Sequence, residues 1–275
     1  MKKILLAVAE NKLPESAFEF IRQLNEINPV LLTGVFLREI IYTFDPAFSY
    51  YGMLGGSTYS PETEAIMQED TQERIEWFEK ACRKYNIEYR IHNDTDDLVI
   101  PELVKESRFA DLLVVSAEAF YHLSETTEPE GYLKSILHLA ECPVLIVPSS
   151  FTFPEKVALT YDGGESSVYA IKQFAYILNE FCNKEAVVVY QASGKDETMP
   201  DEMLIHELAA RHFNAPAFLM LRENIFKLGE WANAQQSAIL VTGSYSRSNL
   251  SELFKKNFIS EIIRAHKMPV FIAHK

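Results

Sequence analysis

Cysteine is scarce. Cys82, Cys142 and Cys182 are the only three in 275 residues, and they stand far apart. No CxxC pair and no Cys/His ligand spacing occurs, which excludes a zinc ribbon and a disulfide scaffold. The remaining reading is three reduced thiols in a cytoplasmic protein. Basic residues are also short: 26 Lys+Arg against 39 Asp+Glu give a formal net charge of −13. That field opposes binding to nucleic acid or to an anionic membrane surface. No uninterrupted apolar run approaches the ~18 residues of a membrane span. The opening MKKILLAVAEN sets two lysines before an apolar run. The run is short and carries no cleavage signature, so it predicts a first strand rather than a signal peptide. GxSxG, HExxH and Walker-type loops are absent. His206 and His212 are six apart and do not share a helix face, so no metal site is expected.

What is present is enough apolar sequence for a core, 48% hydrophobic against 24% charged, in a chain long enough for two ordinary domains. The chain also repeats itself. The segment from Lys3, KILLAVAENKLPESA, aligns with KVALTYDGGESSVYA from Lys156 at an offset of 153. ADLLVVS from Ala110 aligns with SAILVTG from Ser237 at 127, and ECPVLIV from Glu141 with KMPVFIA from Lys267 at 126. Three blocks in one order indicate a tandem duplication. The fall in offset places about 26 extra residues in the first copy. The domains are expected over residues 1–149 and 154–275, joined by the stiff linker PSSFTFP.

The hydrophobic pattern alternates short apolar runs with helical periods. In the first copy strands are expected at 4–9, 30–37, 88–92, 112–115 and 144–147. Helices are expected at 16–24, from Ser60-Pro61 to 85, 97–108 and 133–139. Ser60 reads as a capping hydroxyl with Pro61 in the first helical position. In the second copy strands are expected at 156–161, 186–191, 217–221, 239–242 and 270–273. Helices follow at 166–182, 200–213, 226–236 and 251–266. Alternation of this kind predicts an α/β fold with right-handed crossovers and helices on both faces of a parallel sheet. An aromatic insertion, residues 41–60, either covers the mouth of the first copy or packs against the other half or a partner. The second is the commoner fate of such insertions.

The most informative stretch is Ile239 to Ala273, ILVTGSYSRSNLSELFKKNFISEIIRAHKMPVFIA. It reads as strand, glycine turn, polar loop, helix, proline and strand. A loop leaving the carboxyl end of a strand and opening a helix is where open parallel sheets bind anions and nucleotides. The stretch resembles the C-terminal part of universal stress protein (UspA-like) domains. Nucleotide-binding members of that family carry Gly, two residues, Gly, nine residues, then Gly-Ser or Gly-Thr. Gly243 matches the first glycine, and Arg247, Ser248, Leu250, Pro269 and Val270 fit the wider pattern. Ser246 replaces the second glycine, and Lys256-Asn257 replaces the final pair. The resemblance covers both copies. It implies two tandem doubly wound domains, each a five-stranded parallel sheet of order 3-2-1-4-5. It also implies an internal pseudo-dimer through strands 144–147 and 270–273, with a homodimer as a further arrangement.

The resemblance places a ligand between the first and fourth strands of the second copy. Thr160, Asp162, Gly163, Gly243, Ser244, Ser246, Arg247, Ser248, Lys256 and Asn257 are the expected binding residues. An acid at Asp162 approaches the ribose, the phosphates or their metal ion, while Gly243 and the loop amides cradle phosphate. The expected ligand is ATP, ADP or AMP with Mg2+, held weakly. Lys256 either obstructs the phosphate or adds charge to it. In the first copy Ala9 replaces Asp162, Glu10 replaces Gly163 and Ser116 replaces Gly243. The loop AEAFYHLSETTEPEG carries four carboxylates and no Lys or Arg, which repels phosphate. The segment DGGESSV resembles the SGGxDS signature of ATP pyrophosphatases, but its leading residue and spacing differ. It reads instead as a strand-to-helix turn capped by Ser166. No catalytic constellation is present, so at most slow ATP hydrolysis is expected. Two functions remain: a cytoplasmic, nucleotide-binding stress-response protein, or a nucleotide-free scaffold acting through protein contacts.

Overall fold

The structure, a computed structural model, describes residues 1–9, 13–37, 61–92, 99–117, 136–192, 197–222, 230–232, 234–243 and 268–274. The aromatic insertion, the acidic loop from 118 and the expected helix 251–266 lie outside these residues.

The first half contains β1 (Lys2–Val8), α1 (Glu15–Ile27), β2 (Val30–Phe36), α2 (Pro61–Lys84) and β3 (Glu88–His92), then α3 (Val99–Ser107), β4 (Leu112–Ser116) and β5 (Val144–Val147). The second contains β6 (Lys156–Tyr161), α4 (Glu165–Ile177), β7 (Glu185–Ala192), α5 (Glu202–His212), β8 (Ala217–Arg222), β9 (Ala238–Gly243) and β10 (Val270–Ala273). The strands form one ten-stranded sheet of order β3-β2-β1-β4-β5-β10-β9-β6-β7-β8. Each half therefore has the order 3-2-1-4-5, and every pairing within a half is parallel.

The halves join where β5 and β10 run antiparallel, with Val270 opposite Ile146, Phe271 opposite Leu145 and Ile272 opposite Val144. All of these residues are buried. The pairing hides two apolar strand edges that would otherwise template association.

Because a parallel sheet is covered on both faces, its central strands are apolar throughout; β4, β5 and β10 are buried at every position. The side chains part between two cores. On one face α1, α2, α4 and α5 pack Phe20, Phe78, Phe174 and Ala209 over Ile4, Leu6, Leu159 and Phe271. On the other, Leu103, Ile136, Leu137 and Ala232 cover Leu5, Ala7, Leu240 and Ile272. The linker adds to the first core, with Phe153 ring centroids 5.3 Å from Phe20 and 5.4 Å from Phe181. Burying a Phe side chain fully contributes about 1.5–3 kcal/mol, so this cluster ties α1 to the end of α4.

Two expectations are corrected. The helix expected over 166–182 ends at Ile177, because Leu178 (φ −112°, ψ 49°) leaves the helical region. A 3-10 turn over Asn179–Phe181 follows and buries Phe181. The apolar spacing continued through that turn and concealed the break. Ser166 does not cap α4: the N-cap is Gly164, with no side-chain cap. No helix among the described residues is long and apolar enough to cross a membrane.

Candidate functional site

The sheet opens at one place in each half. In the second half β6 and β9 stay paired only as far as Leu159 opposite Val241. Beyond that point β6 follows β7 out to Tyr161 opposite Tyr190, and β9 follows β10 to Gly243 opposite Ala273. The crevice between them is the topological switch point of a doubly wound sheet. Thr160 closes its floor, its hydroxyl donating to the Val241 carbonyl at 3.0 Å.

The turn from β6 into α4 is three residues long, Asp162-Gly163-Gly164. Asp162 Oδ1 accepts from the Gly164 N–H at 2.8 Å, a side-chain turn that Asp forms readily. Gly163 takes φ +82°, where a Cβ would also lie 2.8 Å from the Pro200 Cβ. Pro200 belongs to a lip, residues 197–201, between β7 and α5. Tyr161 OH donates to the Pro200 carbonyl at 2.9 Å, and Tyr190 OH donates to the Glu197 carboxylate. Burial, then the charges of Asp201 and Asp162, push the Tyr161 phenol up. Burial, followed by the Glu197 hydrogen bond, pushes Tyr190 up to about 12. Both phenols are therefore neutral donors at physiological pH. Sequence reading missed this lip, because nothing local connects Tyr161 and Tyr190 with residues 197–200.

Gly243 stands on the opposite rim. A Cβ there would lie 2.3 Å from the Ser166 carbonyl carbon and 2.5 Å from the Ser167 nitrogen. The glycine is required because the first turn of α4 presses on the end of β9. The aligned first half explains the difference. There α1 begins at Glu15, which the repeat offset equates with Val168, so α4 starts one turn earlier than α1. Ser116 accordingly replaces Gly243 in the first half. Ser116 and Ala9 are both buried, and no carboxylate stands at the Asp162 position.

The structure thus brings Thr160, Asp162, Gly163 and Gly243 to the two rims of one crevice. Ser244, Ser246, Arg247, Ser248, Lys256 and Asn257 lie outside the described residues.

No family model matches the chain, and no curated protein matches it. Solved structures do match. A universal stress protein from Archaeoglobus fulgidus superposes with a TM-score of 0.71 at 13% identity, over 100% of this chain and 96% of that one. The fold is that of a universal stress protein. A candidate universal stress protein from Pseudomonas aeruginosa follows at TM-score 0.52 and 10% identity, covering 100% of this chain and 93% of its own. A protein of unknown function from the same species gives 0.52 at 12% identity, with coverages of 100% and 92%. At these identities the likeness concerns architecture alone, and function rests on the site.

Proposed function

We propose that the second half binds an adenine nucleotide, ATP, ADP or AMP, in the crevice between the Asp162 turn and the segment after Gly243. In this reading the protein is a cytoplasmic stress-response module that responds to nucleotide. The observation that carries it is the parting of β6 from β9 beyond Leu159 and Val241, with the partly exposed Asp162 carboxylate at the rim. Asp162 Oδ1 is engaged by the turn, which leaves Oδ2 for a ribose hydroxyl or a Mg2+ ion that travels with the phosphates. Ser244, Ser246, Arg247 and Ser248 supply donors, and Lys256 and Asn257 stand where relatives of this pattern hold phosphate. Substituted glycines limit close backbone approach, so the expected Kd is about 10–100 μM. Isothermal titration of ATP, ADP and AMP into the full chain tests this. No heat and no thermal shift at millimolar nucleotide would overturn it.

A nucleotide-free regulatory scaffold is the second reading. Gly243 favours it, because packing against Ser166 and Ser167 accounts for the glycine without phosphate. Mass spectrometry of the native protein separates the readings by the presence or absence of a co-purified nucleotide.

A further inference from the structure

The Asp162 turn does not stand alone. The lip, residues 197–201, lies against it. A Cβ at Gly163 would meet Pro200 Cβ at 2.8 Å and Pro200 Cγ at 2.9 Å, so the proline ring rests on the middle residue of the turn. The lip is itself anchored along its length. Tyr190 OH donates to the Glu197 carboxylate. Met199 is buried in the core beneath α4 and α5. The Pro200 carbonyl accepts from Tyr161 OH at 2.9 Å. The Asp201 carbonyl accepts from the Leu204 and Ile205 N–H groups at 2.8 and 3.0 Å, which fixes the entry into α5.

The internal repeat provides the comparison. The offset of 153 equates Tyr161 with Val8 and Asp162 with Ala9. Tyr190 lies opposite Tyr161 in the sheet, and Phe36 lies opposite Val8. Val8 and Phe36 fill the same two positions as buried apolar side chains without a hydroxyl. Packing at these positions is therefore satisfied without a phenol. A buried hydroxyl costs desolvation unless it is hydrogen-bonded, and both hydroxyls of the second half are bonded to the lip. They occur in the half that has a carboxylate at the crevice rim.

We propose that Tyr161 and Tyr190 are positioning residues, which through the lip clamp the Asp162-Gly163-Gly164 turn and hold the Asp162 carboxylate at the crevice before a ligand arrives. Preorganisation of this kind strengthens binding because the turn need not be ordered on association. The consequence for nucleotide rests on the reading of the crevice given above; the clamp itself does not. Neither tyrosine touches the ligand in this account, and both act through Asp162.

Two measurements on the full chain test it. The first needs no ligand. The Gly164 N–H donates to Asp162 Oδ1, so its hydrogen exchange reports on the turn, whereas the Leu159 amide in the middle of β6 reports on the sheet. Tyr161→Phe and Pro200→Gly should each accelerate exchange at Gly164 about 3- to 10-fold relative to Leu159. Tyr190→Phe should do the same from the other end of the lip. A merely structural loss would accelerate both amides alike. The second is titration of ATP in a double-mutant cycle. Tyr161→Phe should weaken binding about 3- to 10-fold when Asp162 is present and should have little further effect in the Asp162→Asn background. Unchanged exchange at Gly164 overturns the proposal, and so does an equal loss of affinity in both backgrounds. A wild type that binds no nucleotide would remove the functional reading, and the exchange ratio alone would then decide whether the clamp exists.

Discussion

Lys2 and Glu180 form an ion pair between the two halves, with Lys2 Nζ 2.6 Å from Glu180 Oε2. The Lys2 side chain is 16% exposed and that of Glu180 only 2%. Lys2 opens the first strand of the first half, and Glu180 sits in the 3-10 turn that ends α4. The pair lies beside the Phe20, Phe153 and Phe181 cluster, so a polar and an apolar contact hold the same junction.

Removing one member should therefore cost more than removing both. Lys2→Ala leaves the Glu180 carboxylate buried without its cation, and a loss of about 3 kcal/mol is expected. Lys2→Met with Glu180→Leu should recover most of it. Urea denaturation of the three proteins checks this. A single variant as stable as the wild type would show that the pair contributes nothing at the junction.

Gly243 gives the second prediction. Gly243→Ala forces a methyl into the backbone of Ser166 and Ser167 and should cost about 1–3 kcal/mol through displacement of α4. At Gly34 the nearest atoms a Cβ would meet are ring atoms of Phe36 and Phe78, from 3.0 Å, side chains rather than backbone. Gly34→Ala should cost less. Denaturation midpoints rank the two, and the reverse order would mean that α4 yields more easily than the aromatic core. The comparison also bears on ligand titrations: loss of nucleotide binding in a Gly243 variant is informative only if α4 is still in place.

The sequence reading found most of the architecture because the strands that matter are buried on both faces. Such strands are unbroken apolar runs, and β5 and β10, buried at every position, begin and end where the pattern places them, as do β6 and the charged edge strand β3. The order 3-2-1-4-5 came through family resemblance and stands in both halves. The failures are contacts between distant segments. Phe181 keeps helical spacing with Phe174 although the chain has already left α4. The need for glycine at 243 arises from Ser166, across the crevice. The lip at Pro200 answers to Tyr161. None of these relationships has a local sequence signal, and they are what shapes the candidate site.

Alkaline pH should destabilise the protein earlier than tyrosine content alone suggests. Burial pushes the Cys82 and Cys142 thiols up from 9.0 to about 12, and Tyr190 rises from 10.0 to about 12. Each group keeps its proton in the folded chain after its unfolded counterpart has lost it. The stability they contribute is present in full below the unfolded pKa values and is lost as pH rises towards the folded ones. Unfolding free energies should fall steadily between about pH 9 and pH 12. Tyr190→Phe should flatten the upper part of that fall. A flat profile across the window, or no difference in the variant, would contradict the assignment.

Asp162 separates the turn from the charge at the crevice. Asp162→Asn keeps an oxygen to accept from Gly164 N–H and removes only the negative charge. Asp162→Ala removes both. If the carboxylate contacts ribose hydroxyls or a nucleotide-bound Mg2+, both variants should weaken ATP binding about 10-fold or more, a loss of roughly 1.4 kcal/mol. If Asp162 serves only to shape the turn, Asn should bind like the wild type and Ala should bind less. Lys256→Gly complements the pair. Tighter binding marks that lysine as an obstruction to phosphate, and weaker binding marks it as a source of charge. Titrating ATP and AMP into all four proteins resolves these cases. A lysine contacting the outer phosphates affects ATP more than AMP, whereas an acid contacting ribose affects both alike.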